Sequence, residues 1–363
     1  MENNYCIIMA GGVGSRFWPF STITKPKQFL DFFGTGRSLL QMTYDRFRNL
    51  IPAKNVYIVS NLAYRDLILE QLPELTSNQV LLEPIRRNTA PCIAYAVYKI
   101  REQTEKANII IVPSDHLITK EDEYRRVMQE GIAFVAHNTE ALLTIGLKPT
   151  RPETGYGYIQ VGDGEKTLCQ VKTFTEKPSL EMAKVFLASG EFYWNSGMFL
   201  WSLTAIEKAF KEFLPEVAAG FEKGRGVYHT GEEQIFIDKM YPELPNISID
   251  YGIMEKAQNV YVLTAEFGWS DLGTWNSLYE LGEKDAAGNA TLKGNTQLYD
   301  CKNTMVVIPE DSLAVVEGLT GYLIAQQGNV LLICKTEGEQ RLRQYVVDVS
   351  ERPDGEKYIK QNR

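Results

Sequence analysis

A glycine-rich segment followed by cations is the chemical pattern that stands out in this chain. Residues 10–16 read Ala-Gly-Gly-Val-Gly-Ser-Arg, directly after an apolar run. Glycines let the backbone turn tightly and gather its amides into a concavity that binds phosphate oxygens. Fixed positive charge beside such a cradle stabilises negative charge on phosphoryl groups. The pattern predicts a phosphate-binding loop made of Gly11, Gly12, Gly14, Ser15, Arg16 and Lys27.

Other interpretations of this segment are weaker. No Gly-Lys-Ser/Thr closes the loop, so it is not a Walker A motif, and it does not match the Gly-x-Gly-x-x-Gly of dinucleotide sites. A flexible glycine turn with solvated cations nearby is the simplest alternative. Because Arg16 and Lys27 both lie within sixteen residues of Gly11, we favour the functional interpretation.

Composition narrows the class of protein. The chain has 363 residues, which predicts two domains or one large domain with an appendage. Hydrophobic residues make up 44% and charged residues 23%, which argues against disorder or a coiled coil. With 38 basic and 46 acidic residues the net charge is −8. We therefore expect no nucleic-acid partner, although a local basic pocket for a small anion is compatible with this balance.

The cysteines and the hydropathy pattern indicate the compartment. Five cysteines are scattered without a Cys-x-x-Cys pair, so we predict neither a disulfide framework nor a zinc site, and a reducing environment. No apolar run approaches the roughly 18 residues of a membrane span, and the first ten residues are too short for a secretory signal. We expect a cytoplasmic protein that does not contact a membrane.

Most of the chain before its C-terminal quarter alternates short apolar runs with helical patterns. Strands are predicted at 5–10, 56–59, 80–82 and 108–112, with helices at 40–51, 62–72 and 89–105 between them. This alternation predicts an α/β fold with a Rossmann-like, doubly wound, mostly parallel sheet. Ligands bind such sheets beyond the carboxyl ends of the strands, so the loops that follow the strands are candidate site loops.

The pattern changes twice further along the chain. Residues 156–161 and 169–174 flank Gly162-Asp-Gly164, which predicts a β-hairpin. Beyond about residue 285, short strands separated by turn residues predict a small β domain. We therefore expect a catalytic domain at 1–284 and a C-terminal β domain at 285–363. The predicted strands of the latter are 305–308, 313–316, 322–325, 330–333 and 345–347.

Several sequence blocks together resemble the nucleotide-sugar pyrophosphorylases, and among them the mannose-1-phosphate guanylyltransferases. The blocks follow the family's order from Gly11 to Asp271. They are Gly11–Ser21, Lys25–Phe29, Glu83-Pro84, Arg87–Pro91, Pro113–His116, Thr154–Ile159, Phe174–Pro178, Trp194–Met198, Ser248–Tyr251 and Gly268–Asp271. The resemblance implies a GT-A-like nucleotidyltransferase fold, with a short left-handed β-helix at the C-terminus that serves dimerisation. It also implies that GTP and mannose 1-phosphate react to give GDP-mannose and pyrophosphate.

The implied chemistry explains the residue types. A sugar phosphate is mostly dianionic at pH 7, since its second pKa is about 6, so it needs no general base. The protein must instead bring two anions together by charge neutralisation and in-line alignment. The resemblance assigns catalysis to Arg16, Lys27, Asp115 and Asp271, and gives Asp115 and Asp271 to Mg²⁺, which prefers hard oxygen ligands. For a lone aspartate, a turn or a helix cap is the ordinary alternative.

The resemblance also distributes the substrate contacts. The sugar phosphate would be bound by Gly155, Tyr156, Glu176, Lys177 and Asn195. The base and ribose would be held by Glu83, Pro84, Asn88 and Thr89. An exposed lysine, a tight turn between core aromatics and an ordinary helix cap are the structural alternatives for these residues.

Two other functions stay open at this point. The chain could transfer a uridylyl, thymidylyl or adenylyl group to glucose 1-phosphate, or it could be a non-catalytic sensor that binds a nucleotide sugar. A sensor would have no use for the metal pair, which favours the enzyme. We expect only the transferase activity, without the isomerase domain fused to some relatives, and a homodimer.

Overall fold

The fold is taken from a computed structural model that describes residues 2–12, 15–161 and 167–360. Its strands are β1 (Asn4–Met9), β2 (Val56–Asn61), β3 (Val80–Glu83), β4 (Asn108–Pro113), β5 (Leu117–Ile118), β6 (Leu142–Leu147), β7 (Gly157–Val161), β8 (Leu168–Glu176), β9 (Phe192–Ser202), β10 (Val260–Ala265), β11 (Trp269–Ser270), β12 (Ala290–Lys293), β13 (Asn295–Tyr299), β14 (Met305–Val307), β15 (Leu313–Glu317), β16 (Tyr322–Gln327) and β17 (Val330–Lys335). Its α-helices are α1 (Leu39–Phe47), α2 (Arg65–Gln71), α3 (Thr89–Arg101), α4 (Glu121–His137), α5 (Leu180–Ser189), α6 (Leu203–Phe213), α7 (Pro215–Glu222), α8 (Glu233–Met240), α9 (Trp275–Leu281), α10 (Leu342–Ser350) and α11 (Glu356–Ile359).

Two compact units divide the chain, and each is assembled from separate segments. Unit 1 consists of Met1–Gly11, Tyr44–Ser114 and Ile118–Trp269, and unit 2 of Gly12–Thr43, Asp115–Leu117 and Ser270–Arg363. These units do not coincide with the predicted domains 1–284 and 285–363. Most of the predicted phosphate loop, with both predicted metal ligands, belongs to the same unit as the C-terminal β strands.

Unit 1 contains a nine-stranded sheet in the order β3-β2-β1-β4-β9-β6-β10-β8-β7. The strands β1 to β4 pair in parallel, as does β6 with β10. The strand β9 instead runs antiparallel to β4, β6 and β7, and β8 runs antiparallel to β7 and β10. Seven of the nine strands therefore run in one direction, as the prediction of a mostly parallel sheet requires, and the sheet is mixed because β8 and β9 run against them. The predicted hairpin is confirmed by the β7–β8 pair, but its turn at 162–164 lies outside the described residues.

Helices cover both faces of this sheet, as expected for a doubly wound fold. Successive residues of a strand point to opposite faces, so Leu200 and Trp201 of β9 face opposite ways. Trp201 is fully buried in the core that α3 shares with α6 and α7. Leu200 faces α4, where a Cβ on Gly131 would come within 2.9 Å of its side chain.

The C-terminal part of unit 2 is a small coil of parallel strands. The strands β12, β14 and β16 pair in parallel, and β13 pairs in parallel with β15. Three pairings share one sequence separation, namely Asn295 with Leu313, Met305 with Leu323 and Lys302 with Thr320. A parallel pairing of this kind means that each turn of the chain lies on the previous one. The last strand, β17, is antiparallel to β16.

The end of the chain differs from its prediction. Residues 345–347, predicted as a strand, lie in the helix α10. Tyr345, Val346 and Val349 recur with Leu342 at helical spacing, and all four pack in one core cluster with Phe17 and Trp18. Two adjacent valines favour a strand locally. Burial of the helix face that carries these four side chains stabilises the helix instead.

The cysteines and the helices bear on two expectations, which concern disulfides and membrane spans. All five cysteines are free thiols, and Cys6, Cys92, Cys301 and Cys334 are buried. Across the described ranges, the helices are too short or too polar to cross a bilayer.

Candidate functional site

The side chain of Lys27 organises the first group of predicted site residues, all of which belong to unit 2. Its ammonium lies 2.9 Å from Oδ2 of Asp115, 2.7 Å from the carbonyl oxygen of Asp271 and 3.0 Å from that of Leu272. An ammonium has three N–H donors, and these contacts match them one to one. Lys27 is only 6% exposed. The structure thus brings Asp115 and the Asp271 turn together on one buried cation, although they lie in distant parts of the sequence.

Lys27 also controls the ionisation of Asp115. Burial alone would raise the pKa of this carboxyl group, but the Lys27 ammonium and, to a smaller extent, His116 hold the pKa below its ordinary value. Asp115 is therefore anionic throughout the neutral range. The nearer nitrogen of His116 lies 3.8 Å from Oδ1 of Asp115.

The turn that carries Asp271 has a constrained backbone. Leu272 has φ of +44°, a conformation that costs energy for a residue with a side chain. The N–H of Gly273 donates to Oδ1 of Asp271 over 3.0 Å. A Cβ at position 273 would lie 2.6 Å from Oδ2 of the same carboxylate, so a larger residue there would displace the carboxylate. The turn and Lys27 together fix where the Asp271 carboxylate can lie.

The predicted phosphate loop is described only in part. Gly11 and Gly12 are exposed, and Gly12 has φ of +99°, which glycine adopts readily. The Gln28 side-chain amide reaches the Gly12 carbonyl at 3.5 Å. The guanidinium of Arg16 is exposed and donates to the Gly273 carbonyl at 3.5 Å. Gly14 and the side chain of Ser15 lie outside the described part of the chain.

The donor set of Asp115 and Asp271 fits a magnesium ion. Mg²⁺ is usually held by one or two carboxylates together with substrate phosphates and water, rather than by a full protein cage. The described residues contain no cluster of three or more acidic, histidine or cysteine side chains that could form such a cage. The two carboxylates are hard oxygen donors of the kind that suits Mg²⁺.

The loop that was predicted to bind the base lies in unit 1, and part of it makes hydrogen bonds inside the protein. Glu83 is 6% exposed at the end of β3, and its carboxyl group accepts a hydrogen bond from the hydroxyl of Tyr241. Burial raises the pKa of Glu83 to about 7, while Tyr241 and Arg86 oppose the shift. Pro84 follows it half-buried. The Glu83 side chain is thus directed into the protein at the base of the loop.

The next two residues of this loop begin the helix α3. Asn88, with φ of +67°, accepts the N–H of Thr89 through its side chain and caps the helix. The Thr89 hydroxyl accepts the N–H of Ile249 over 2.9 Å. The capping interpretation is therefore correct for Asn88. The exposed part of Asn88 leaves room for a ligand contact as well.

A second group of charged side chains lies at the end of β8 in unit 1. Lys177 has φ of +48°, and its ammonium lies 3.0 Å from Oε1 of Glu176. The other oxygen of Glu176, Oε2, is buried and has no hydrogen-bond partner among the described residues. A Cβ at position 157 would lie 2.4 Å from that oxygen, so Gly157 makes room for it. Burial acts against the charge of Lys177, but Glu176 raises its pKa above the ordinary value.

Asn195 links this carboxylate group to a residue that the sequence prediction missed. Its amide nitrogen donates to Oδ1 of Asp250 at 2.8 Å, and its amide oxygen accepts from the Thr144 hydroxyl at 3.0 Å. Burial, and then the charge of Glu176, raise the pKa of Asp250 to about 7. Asp250 lies in the block 248–251 that carries the family resemblance. That block was the signal that could have identified it.

Three aromatic side chains pack together beside this group. Tyr156 contacts the Trp194 and Trp269 rings edge-on, with centroids 5.2 and 5.3 Å apart. The carbonyl of Tyr156 accepts the N–H of Lys177 at 3.1 Å. Gly155, which is exposed, donates its N–H to Glu153. All five residues predicted to bind the sugar phosphate thus lie in unit 1, at the ends of β7 and β8 and within β9.

Comparison with known proteins identifies the class. The chain belongs to the nucleotidyl transferase family, whose pattern matches residues 5–288. It is 34% identical over 360 residues to a mannose-1-phosphate guanylyltransferase of Escherichia coli, covering 96% of this chain and 76% of that protein. It is 37% identical to a protein of the same name from Sinorhizobium fredii, covering 91% and 64%. A crystal structure described as mannose-1-phosphate geranyltransferase from Thermus thermophilus matches with a TM-score of 0.84 and 29% identity, covering 96% of this chain and 99% of that one.

Proposed function

We propose that the chain transfers GMP from GTP to α-D-mannose 1-phosphate. A phosphate oxygen of the sugar phosphate attacks the α-phosphorus of GTP in line, the bond to the β-phosphate oxygen breaks, and GDP-mannose and pyrophosphate leave. Membership of the nucleotidyl transferase family supports this class of reaction. The names of relatives that match more than nine-tenths of the chain support the pair of substrates.

The observation that carries the proposal is the environment of Lys27. One buried ammonium contacts Asp115 and the backbone of the Asp271 turn, within the unit that also carries Gly12 and Arg16. A preorganised arrangement of charges is what stabilises a phosphoryl-transfer transition state, in which charge is spread over several oxygens. No general base is required, because the sugar phosphate is already an anion at neutral pH.

We assign Mg²⁺ to Asp115 and Asp271. When bound, the ion would neutralise negative charge on the reacting phosphates. Lys27 keeps Asp115 ionised, as its lowered pKa indicates, and Arg16 adds a second cation at the loop. Gly11, Gly12, Gly14 and Ser15 would supply backbone amides to the triphosphate, and Lys27 would add positive potential beside them.

The base and ribose are assigned to the loop after β3. Pro84, Asn88 and Thr89 would line this subsite, and Glu83 would support it from below through its bond to Tyr241. Base selection then rests on backbone groups and on Asn88 rather than on a free carboxylate. Glu83, which the resemblance places among the residues that hold the base and ribose, would then act by supporting the loop rather than by contacting the base.

The acceptor is assigned to the group around Glu176. The unpartnered buried oxygen of Glu176 suits a sugar hydroxyl, since a buried acceptor without a donor costs about 1–3 kcal/mol. Lys177 would bind the phosphate as a compact charge. Asn195 and Asp250 would bind further hydroxyls, and Gly155 with Tyr156 would cover the ring.

One assay tests the function directly. The purified chain is offered GTP, UTP, dTTP or ATP, each with mannose 1-phosphate or glucose 1-phosphate and Mg²⁺, and pyrophosphate release is measured. We expect GTP with mannose 1-phosphate to be the preferred pair. Preference for another pair would reassign the substrates, and no release with any pair while GDP-mannose still binds would favour the sensor.

Replacing Lys177 by alanine tests the acceptor assignment. A hydrogen bond to a charged group contributes about 1.5–3 kcal/mol, so the KM for mannose 1-phosphate should rise roughly ten- to a hundredfold. The KM for GTP should change less than about threefold. Initial rates with each substrate varied in turn give both values, and Lys184→Ala on the exposed side of α5 is the control. Equal effects on both substrates would show that Lys177 is misassigned.

Replacing Asp250 by asparagine should stabilise the fold and weaken the reaction. The folded-state pKa of about 7 lies above the ordinary value, so ionising Asp250 costs stability. That loss develops as the pH rises from about 4 to 7 and is complete above it. Asp250→Asn should therefore unfold later than wild type at pH 8, by roughly 1–3 kcal/mol, and show no gain near pH 4.

The same variant should raise the KM for mannose 1-phosphate. Thermal unfolding at several pH values and steady-state kinetics give the two results. Asp66→Asn, whose side chain is 88% exposed, is the control for general charge effects. Unchanged kinetics would remove Asp250 from the acceptor subsite, and a loss of stability at pH 8 would contradict its raised pKa.

We propose that the C-terminal coil turns left-handedly and joins two copies of the chain. The sequence separation that three of its parallel pairings share supports a three-sided β-helix, and the pairing of β12 with β14 has a shorter separation. Its strand β15 exposes Leu313 and Val315, each 65% accessible, and the adjacent β13 exposes Tyr299. A homodimer would bury such a face. Light scattering during gel filtration would report the mass of the oligomer.

The compartment is proposed from the cysteines. The five free thiols suit the reducing cytoplasm.

A further inference from the structure

Glu339 contacts the helix that follows the Asp271 turn, although it comes from the far end of unit 2. It lies in a 3₁₀ segment, Thr336–Arg341, which joins the last strand β17 to α10. One oxygen of its carboxylate, Oε2, accepts the N–H of Asn276 at 3.0 Å. The carboxylate also interacts with the N–H of Trp275 and the hydroxyl of Thr274. These backbone donors belong to the first turn of α9, where a helix leaves its N–H groups without internal partners.

The charge of Arg16 also acts on this carboxylate. Burial raises the pKa of Glu339 above its ordinary value, and the N–H of Asn276, the hydroxyl of Thr274 and, to a smaller extent, Arg16 oppose the rise. Arg16 also donates to the carbonyl of Gly273, which precedes the helix cap Thr274 by one residue. Glu339 thus contacts the start of α9, and Arg16 contacts the turn of Asp271 at Gly273, within one unit. A negative charge near a helix N-terminus is itself stabilising.

Buried side chains pack on both sequence neighbours of this contact, Leu342 after Glu339 and Trp275 before Asn276. Leu342, just beyond Glu339, is buried in one core cluster with Phe17, Trp18 and Trp275. The indole N–H of Trp18 donates to the carbonyl of Tyr358 at 3.2 Å. The chain segment after β17 therefore packs both on the end of the phosphate loop and on the start of α9.

We propose that Glu339 is a positioning residue of the transfer reaction, one that holds the Asp271 turn in its working place through the start of α9. The inference rests on the proposed function. Lys27 fixes this turn at Asp271 and Leu272, and Glu339 fixes it at the beginning of α9. A displacement of a metal-binding carboxylate by about 1 Å can lower a rate a hundredfold. The C-terminal segment then takes part in catalysis without touching a substrate.

Two variants separate the contributions of Glu339. Glu339→Ala removes both the hydrogen-bond acceptor and the charge, and Glu339→Gln keeps an acceptor oxygen but removes the charge. Glu337→Gln is the matched control, since Glu337 is exposed and lies only two residues earlier. All are measured in the full-length chain by steady-state kinetics with GTP and mannose 1-phosphate, by Mg²⁺ titration of the rate and by amide hydrogen exchange.

The kinetic pattern distinguishes positioning from a purely structural role. For Glu339→Ala we expect kcat to fall about tenfold or more, more Mg²⁺ to be needed for half-maximal rate, and the KM for mannose 1-phosphate to stay within twofold of wild type. Glu339→Gln should recover part of kcat and protect the Asn276 amide from exchange, which Glu339→Ala should not. Glu337→Gln should match wild type.

Other results would overturn the proposal. If Glu339→Ala speeds exchange at α9 but leaves kcat and the Mg²⁺ dependence within twofold of wild type, Glu339 is only a helix cap. If Glu339→Ala does not fold, Glu339→Gln decides: wild-type kcat and Mg²⁺ dependence in that variant despite faster exchange of the Asn276 amide would reject the proposal. An inactive wild type would instead reject the proposed function, so the two failures are distinguishable.

Discussion

Replacing Asp115 by asparagine is expected to lower kcat by at least about a hundredfold and to leave the fold intact. The pKa of Asp115 is held below its ordinary value by Lys27, so the residue offers an anionic oxygen at every pH at which the enzyme would work. Asparagine keeps the shape of the side chain but offers no charge to a divalent cation. Asp271→Asn should have an effect of the same size, because both carboxylates are assigned to one ion.

The measurement for these variants is kcat at saturating GTP, mannose 1-phosphate and Mg²⁺, with circular dichroism and thermal unfolding to confirm the fold. Asp311→Asn, at an exposed position of the same unit, is the control. If either Asp115→Asn or Asp271→Asn turned over at nearly the wild-type rate at saturating Mg²⁺, the metal assignment would be withdrawn.

Replacing Lys27 by methionine is expected to lower kcat/KM for GTP by about a hundred- to a thousandfold. Methionine fills a similar volume but makes none of the three contacts with Asp115, Asp271 and Leu272. Without the ammonium, burial becomes the main influence on Asp115, and its pKa should rise above the ordinary value. The remaining activity should therefore decline as the pH is lowered, at a higher pH than in the wild type.

The control for this variant is close in sequence. Lys25 is exposed and lies two residues earlier, so Lys25→Met removes the same charge without touching the buried contacts. The pH profile of kcat/KM between about pH 5 and 9 gives the result. A Lys27→Met profile that parallels the wild type, with activity reduced no more than in Lys25→Met, would show that Lys27 does not organise the site.

The sequence predicts well those parts of the fold that depend on local patterns. The strand β1 and the apolar strand β4 lie within a residue or two of their predicted ends, because a run that is buried on both faces leaves a continuous apolar signal. The helix α3 begins at the predicted Thr89, because Asn88 caps it there. Such features need only neighbouring residues to specify them.

Long-range arrangements could not be predicted in this way. The antiparallel course of β9 decides that the sheet is mixed, yet an apolar strand carries no mark of its direction. The coil of unit 2 places successive turns in parallel register. Its sequence has no regular hexapeptide pattern, so the pairing of its strands could not be predicted from the sequence. The helix at 342–350 was missed because its valines favour a strand locally, and only packing reverses that preference.

The same distinction between local and long-range information applies to the site residues. The glycine-rich pattern with its cations predicted Lys27, and the family resemblance supplied Asp115 and Asp271. The structure adds that Lys27 contacts the carboxylate of Asp115 and the backbone carbonyl of Asp271. Asp250 and Glu339 were missed for different reasons. Asp250 lies in one of the sequence blocks that carry the family resemblance, but no role was assigned to it. Glu339 lies in none of those blocks, and only the fold brings it to α9.

The most direct test is a crystal structure with GDP-mannose and Mn²⁺ in place of Mg²⁺, in which anomalous scattering locates the metal. The account predicts a peak bound by carboxylate oxygens of both Asp115 and Asp271, with Lys27 still contacting Asp115 or a phosphate oxygen. A peak away from these carboxylates, or a structure in which only one of them reaches the metal, would contradict it.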